Sequence, residues 1–183
     1  MTLDPSLRDE ILAAVPSLRA FAMSLAGKTD RVDDLVQETL VRAVTNIHHF
    51  EAGTNLNAWL FTILRNLFHS EYRKRRREVE DADGSYAARL SAPPEQGARL
   101  EFEDFRRALA HIPLDQREAL LLVGAEGLSY EEAAQVCGVA VGTVKSRVNR
   151  ARARLARMLD VEHGQEFDPD PTIKAALQGP FEI

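Results

Sequence analysis

The sequence predicts an all-α protein, with two small helical domains joined by a flexible acidic linker and a helix-turn-helix inside the second, four-helix domain. Three features lead there. Apolar residues recur at steps of three and four in both halves, the period of an amphipathic helix. Between the halves, EVEDADGSYAARLSAPPEQG keeps no period, is rich in acids and contains a Pro-Pro pair, as a linker does. Late in the chain a serine-capped helix, a turn with glycine and a longer basic helix follow one another, which is the helix-turn-helix order. The expected divisions are a helical domain over 1–77, the linker over 78–99, the helix-turn-helix domain over 100–160 and an acidic C-terminal tail over 161–183.

Each element has its own signal. Asp4-Pro5 offers a cap and a first-turn proline for a helix through Val15, and Pro16 either kinks it or starts a second helix to Ala26. Residues 30–47 set Val32, Leu35, Val36, Leu40, Ala43, Val44 and Ile47 on one stripe, with Asp33, Asp34, Gln37, Glu38 and Arg42 opposite. After a break at HHFEAGTN, a helix from Asn57 to Arg77 turns Trp59, Leu60, Ile63, Leu64, Leu67 and Phe68 inward. In the second half, helices are expected over 100–111 and 115–125, where Asp115 and Glu118 have capping-box spacing. Ser129 and Glu132 form a clearer box, Cys137-Gly138-Val139 a tight turn, and Val141 to Asp160 the last helix.

A chain of 183 residues suits one ordinary domain or two small ones, and 45% hydrophobic with 28% charged residues is a globular composition. A single cysteine, Cys137, excludes an internal disulfide and a Cys-rich metal site, and points to the cytosol. The N-terminus mixes acids with its apolar residues, unlike a signal peptide, and no apolar run nears the roughly 18 residues that span a bilayer. A cytoplasmic protein with no membrane partner is expected.

The formal net charge of -5 hides an uneven distribution. Residues 58–77 hold six bases against Glu71 alone, and residues 143–159 hold six against none, while linker and tail are acidic. Each basic island is either a solvated helix face or a polyanion-binding surface. On the last helix, Val144, Val148, Ala151 and Leu155 make an apolar seam. Lys145, Ser146, Arg147, Asn149 and Arg150 then stand where a helix-turn-helix meets base edges in a major groove about 12 Å wide. Arg152, Arg154 and Arg157 suit phosphates, or the negative end of their own helix. The capped preceding helix and the glycine turn favour DNA.

Arg73, Lys74, Arg75, Arg76 and Arg77 are consecutive, so they ring a helix end and suit backbone contact rather than base reading. Upstream, Trp59, Phe61, Phe68 and Tyr72 interleave with Asn57, Arg65 and Asn66. Such aromatics stack on unpaired bases or pack in a core, and core packing is the better reading for Trp59 and Phe68. His48 and His49 diverge if helical and have no third ligand nearby, so no metal site is expected. No nucleophile context or Gly-rich phosphate loop is present, so neither an enzyme nor a cofactor is expected.

DLVQETLVRA at 34–43, AWLFTILRNLFHSEYRKRRR at 58–77, LDQREALLL at 114–122 and GLSYEEAAQVCGVAVGTVKSRVNRARARL at 127–155 together resemble bacterial sigma factors of the extracytoplasmic-function class. The last segment looks particularly like the general-stress sigma factors of alphaproteobacteria. The resemblance implies that Asp34, Gln37, Glu38 and Arg42 contact the clamp of core RNA polymerase. It implies that Asn57, Arg65 and Asn66 recognise the minus-10 element, with Asn66 at the position that holds a flipped base, whose extrusion costs a few kcal/mol. It assigns minus-35 reading to Lys145, Ser146, Arg147, Asn149 and Arg150.

Promoter DNA, core polymerase and a small helical anti-sigma protein wedged between the domains are the implied partners, for a chain that is a monomer outside its complexes. Two rivals stand beside this reading. One is a stand-alone helix-turn-helix regulator, usually dimeric on a palindrome. The other is a sigma-mimicking signalling decoy, whose known forms carry a receiver domain that two domains in 183 residues leave no space for. The tail lies outside the shared motifs; Ile173, Leu177 and Phe181 allow a short docking helix, and its acids a disordered end.

Overall fold

The computed structural model describes residues 4–26, 29–80 and 98–159, and among them every regular element is a helix. The tail expectation falls on residues outside this set, as does the linker expectation over 81–97. At the linker's expected ends, residues 78–80 continue the helix before it and residues 98–99 begin the helix after it, so both flanking helices run a few residues longer than the sequence suggests. The chain divides into two compact units, within residues 1–90 and 91–183.

The first unit holds α1 (Pro5–Ala13), α2 (Val15–Ala26), α3 (Thr29–Thr45), a 3-10 turn (Ile47–His49) and α4 (Leu56–Glu80). Asp4 Oδ1 accepts from the Ser6 amide at 3.3 Å, and Pro5 occupies the first helical position, where no donor is needed. Pro16 does not end the chain's helical path: it sits at the second position of α2, so it opens that helix. The core is Leu18, Phe21 and Leu25 of α2, Val32, Leu35, Val36 and Ala43 of α3, and Leu60, Phe61, Leu64 and Phe68 of α4. Phe21 and Phe61 meet edge to face at 5.1 Å between ring centroids. Phe61 is therefore a core residue rather than a platform for bases.

The apolar stripe of α3 is narrower than its sequence suggests. Leu40 and Ile47 are half-buried and Val44 is 47% exposed. At 3.6 residues per turn Val44 sits about a third of a turn from the centre of the packed face, beyond the reach of α2 and α4. Thr39 takes a central place instead, fully buried, with its hydroxyl donating to the Leu35 carbonyl at 2.7 Å. This bond lets a polar side chain enter the core at little cost.

The second unit holds α5 (Ala98–Ala110), α6 (Leu114–Gly124), α7 (Tyr130–Cys137) and α8 (Val141–Met158). Its central helix is α6, buried continuously from Gln116 to Leu122. The capping box expected at Asp115 and Glu118 does not form. The cap residue is Pro113, without a side-chain bond, Asp115 lies in the first turn, and Glu118 is fully buried. Tertiary packing around α6 overrides the local spacing.

Arg117 is also buried, and its Nη1 donates to the Ala110 carbonyl at 3.3 Å, at the end of α5. Burial lowers its pKa from the ordinary guanidinium value and the Glu118 charge opposes that shift. It remains a cation at neutral pH.

Candidate nucleic-acid and polymerase interfaces

In the second unit, local sequence rules set the approach to the basic helix α8. Ser129 caps α7: its Oγ accepts from the Glu132 amide at 3.1 Å, while Glu132 Oε2 accepts from the Ser129 amide at 2.8 Å. The helix ends at Gly138, in the left-handed region at φ 65°, where a side chain would be strained. The Val139 amide donates to Ala134 O at 3.1 Å and the Gly138 amide to Gln135 O at 3.2 Å. This paired backbone closure fixes the exit toward α8.

The seam of α8 is as the sequence predicts: Val144, Val148 and Ala151 are fully buried and Leu155 nearly so. Full burial of a valine or leucine contributes about 1.5–3 kcal/mol, so the seam fixes which face of α8 turns outward. Asn149 and Arg150 are exposed on that outer face. Several side chains there are held by neighbours. The Lys145 ammonium lies over the Tyr130 ring, 5.5 Å from its centroid. Arg150 folds onto Ser146, with Nη2 donating to Oγ at 3.0 Å and Nε to the carbonyl at 3.2 Å, and the Ser146 hydroxyl donates to Thr143 O.

Arg147 departs from this set, because its Nε lies 3.1 Å from Asp115 Oδ2 and its side chain is only 19% exposed. Farther along, Arg152 and Arg154 are half-buried, and the exposed Arg157 donates to Ala153 O at 3.3 Å.

In the first unit, Asp34, Gln37, Glu38 and Arg42 come together. With Val41 of α3 and Leu67, Ser70 and Glu71 of α4, they line a groove of about 490 Å³. Glu38 and Arg42 pair at 2.7 Å across one helical turn, and both are exposed. Such surface pairs add only a few tenths of a kcal/mol, so the pair is available to exchange partners. Val41 is 54% exposed, giving the groove an apolar lip that charge patterning alone did not reveal. Beside it, Glu71 Oε2 lies between Arg31 of α3 at 3.5 Å and Arg75 of α4 at 3.7 Å, so the lone acid of the basic island braces two helices.

The start of α4 is built by a turn. Gly53 adopts φ 90°, Thr54 Oγ1 donates to Glu51 O at 2.7 Å, and Asn55 Oδ1 accepts from the Ala58 amide at 3.2 Å as the cap of α4. Phe50 packs on the half-buried Trp59 at 5.4 Å between centroids, which ties the turn to the helix. Asn57 and Asn66 are exposed and Arg65 is half-buried. Nine residues separate the two asparagines, so they point to opposite sides of α4, about half a turn apart.

Arg73, Lys74, Arg75 and Arg77 are exposed around the helix, whereas the side chain of Arg76 lies outside the described set. Tyr72, 50% exposed, stacks on the buried Phe68 at 6.1 Å. His48 and His49, expected to diverge, sit with ring centroids 4.1 Å apart because the tight 3-10 turn brings them together.

A family profile for Sigma-70 region 2 matches residues 11–78, and one for Sigma-70, region 4 matches residues 102–155. The chain is 66% identical to an ECF RNA polymerase sigma factor, EcfG of Rhodopseudomonas palustris, over 98% of this chain and 99% of that one. A solved structure of the sigma factor RpoE in complex with the anti-sigma factor NepR, from Bartonella quintana, is similar with a TM-score of 0.79 and 51% identity. That match covers 87% of this chain and 100% of the solved one. The RNA polymerase sigma factor CnrH of Cupriavidus metallidurans is 34% identical, covering 82% of this chain and 83% of its own length. A structure of CnrH in complex with the cytosolic domain of CnrY matches at TM-score 0.62 and 30% identity, over 85% of this chain and 88% of that chain.

Proposed function

Because the chain belongs to the extracytoplasmic-function sigma factors of the sigma-70 family, we propose that it directs core RNA polymerase to the promoters of stress-response genes under the control of a small helical anti-sigma protein. The observation that carries this reading is the presence, in one chain, of a charged groove on one helical unit and an outward-facing basic reading helix on the other. The groove of Asp34, Gln37, Glu38 and Arg42 takes the polymerase clamp, with Val41 as its apolar lip. The capped turn before α4, together with Asn57, Arg65 and Asn66, engages the minus-10 element. The split of the two asparagines around α4 supports separate tasks for them, with Asn66 holding the flipped base.

In α8, Lys145, Ser146, Arg147, Asn149 and Arg150 meet minus-35 base edges, while Arg152, Arg154 and Arg157 meet phosphates. The ring from Arg73 to Arg77 holds backbone at the minus-10 end. The domain limits that go with these roles are 1–77, 100–160 and the segments 78–99 and 161–183. Two modest DNA contacts on one tethered pair of domains reinforce each other through local concentration, so neither needs high affinity alone.

The inhibitory partner is supported by the relatives: the RpoE and CnrH structures are complexes with an anti-sigma factor and with the cytosolic domain of CnrY. Regulon activity in the native host should rise under stress at constant abundance of this chain, and equal activity with and without stress would remove the inhibitor from the reading. Co-elution with purified core polymerase, followed by run-off transcription from a promoter library, tests the central claim. A stand-alone helix-turn-helix regulator would bind DNA without co-eluting, and that result would overturn the sigma assignment for this chain's activity.

A further inference from the structure

Arg147 lies on the flank of α8 and is largely covered, and a covered guanidinium needs a counter-charge. Asp115 supplies it from the first turn of α6, far away in sequence and brought near only through the packing of α6 on α8. Asp115 makes no cap bond to its own helix, and although its first-turn place suits an acid, the pairing with Arg147 is the one side-chain contact it makes that joins α6 to α8 among the described ion pairs. The other cations near the start of α8 are held by a neutral ring and by a serine, which orient them without cancelling charge.

We propose that Asp115 is a specificity-determining positioning residue: by pairing with Arg147 it fixes one cation of the reading helix and withholds it from indiscriminate phosphate contact. The proposal rests on α8 being the minus-35 reading helix. Phosphates occur on every sequence, so a long cation free to find one raises affinity for all DNA and lowers the share that depends on bases. A pinned Arg147 presents one geometry to the groove and adds less to non-specific attraction.

The test uses holoenzyme reconstituted from the full chain and core RNA polymerase. Wild-type holoenzyme first selects a promoter from a library randomised over the minus-35 position, and the selected duplex and its scrambled version then serve as probes across a KCl series. Asp115→Asn should strengthen binding to the scrambled probe and cut discrimination by about tenfold, in the lower range for one base-edge contact. The dependence of log affinity on log salt should steepen by about 0.9, the value for one added phosphate.

Asp115→Glu, which keeps the charge, should restore discrimination. In an Arg147→Ala background the Asn substitution should have no further effect. Unchanged discrimination in Asp115→Asn overturns the proposal. So does the same change persisting without Arg147, which would mean that the carboxylate merely repels DNA. If wild-type holoenzyme selects no minus-35 sequence, the reading of α8 itself fails, and the proposal with it.

Discussion

The two basic surfaces of this chain are made in different ways. Along α8, one apolar seam anchors the helix, and the cations near its start have fixed neighbours: Tyr130 beneath Lys145, Asp115 beside Arg147 and Ser146 under Arg150. At the end of α4, the described side chains Arg73, Lys74, Arg75 and Arg77 are exposed around the helix, with Arg75 at the Glu71 brace and Arg73 bonded to its own backbone. An ordered array on one face can distinguish base edges, whereas a ring of outward charge holds a backbone of any sequence. Similar composition thus supports two distinct kinds of recognition.

Removing one surface altogether has the largest effect. Val148→Asp places a carboxylate at a fully buried seam position and should destabilise the second unit by more than about 4 kcal/mol. Circular dichroism should show that unit's thermal transition abolished, while the chain still co-elutes with core polymerase through α3. Next, Arg150→Ala should cost about 1–3 kcal/mol of discrimination at minus-35 in run-off assays with base-substituted promoters, and leave minus-10 preference intact. The double substitution Arg73→Ala and Lys74→Ala should instead weaken all promoters alike. A KCl titration should show the salt slope shallower by about 0.9 for each phosphate that the variant no longer neutralises. Smallest is Ser129→Ala, which removes half of a capping box and should cost about 1 kcal/mol, seen as a few degrees of melting temperature with discrimination unchanged.

Sequence made the α8 seam and the Ser129 cap readable because both depend on residues within one or two turns of each other. The same rule misled at Asp115 and Glu118, where an identical spacing lies on a helix surrounded by its neighbours, so that packing decided the outcome. Val44 looked internal by period and is exposed, since the width of a buried stripe depends on what packs against it. The sequence leaves Phe61 open between base stacking and core packing, and it is in the core because Phe21 from another helix meets it. The groove residues of α3 were legible as one polar face, but its walls from α4 were not. The pairing of Arg147 with Asp115 joins distant segments, and no local pattern announces it.

The elbow between α7 and α8 is closed by two main-chain hydrogen bonds and one left-handed glycine, with no side chain of α8 taking part. The path of the chain through the elbow is therefore set by the main chain, and the setting of α8 beyond it by the buried seam, rather than by the exposed Asn149 and Arg150. These two residues can be exchanged for others while the frame stays constant, so under the proposed reading of α8 a new promoter vocabulary is a matter of grafting a few outward positions onto an unaltered joint.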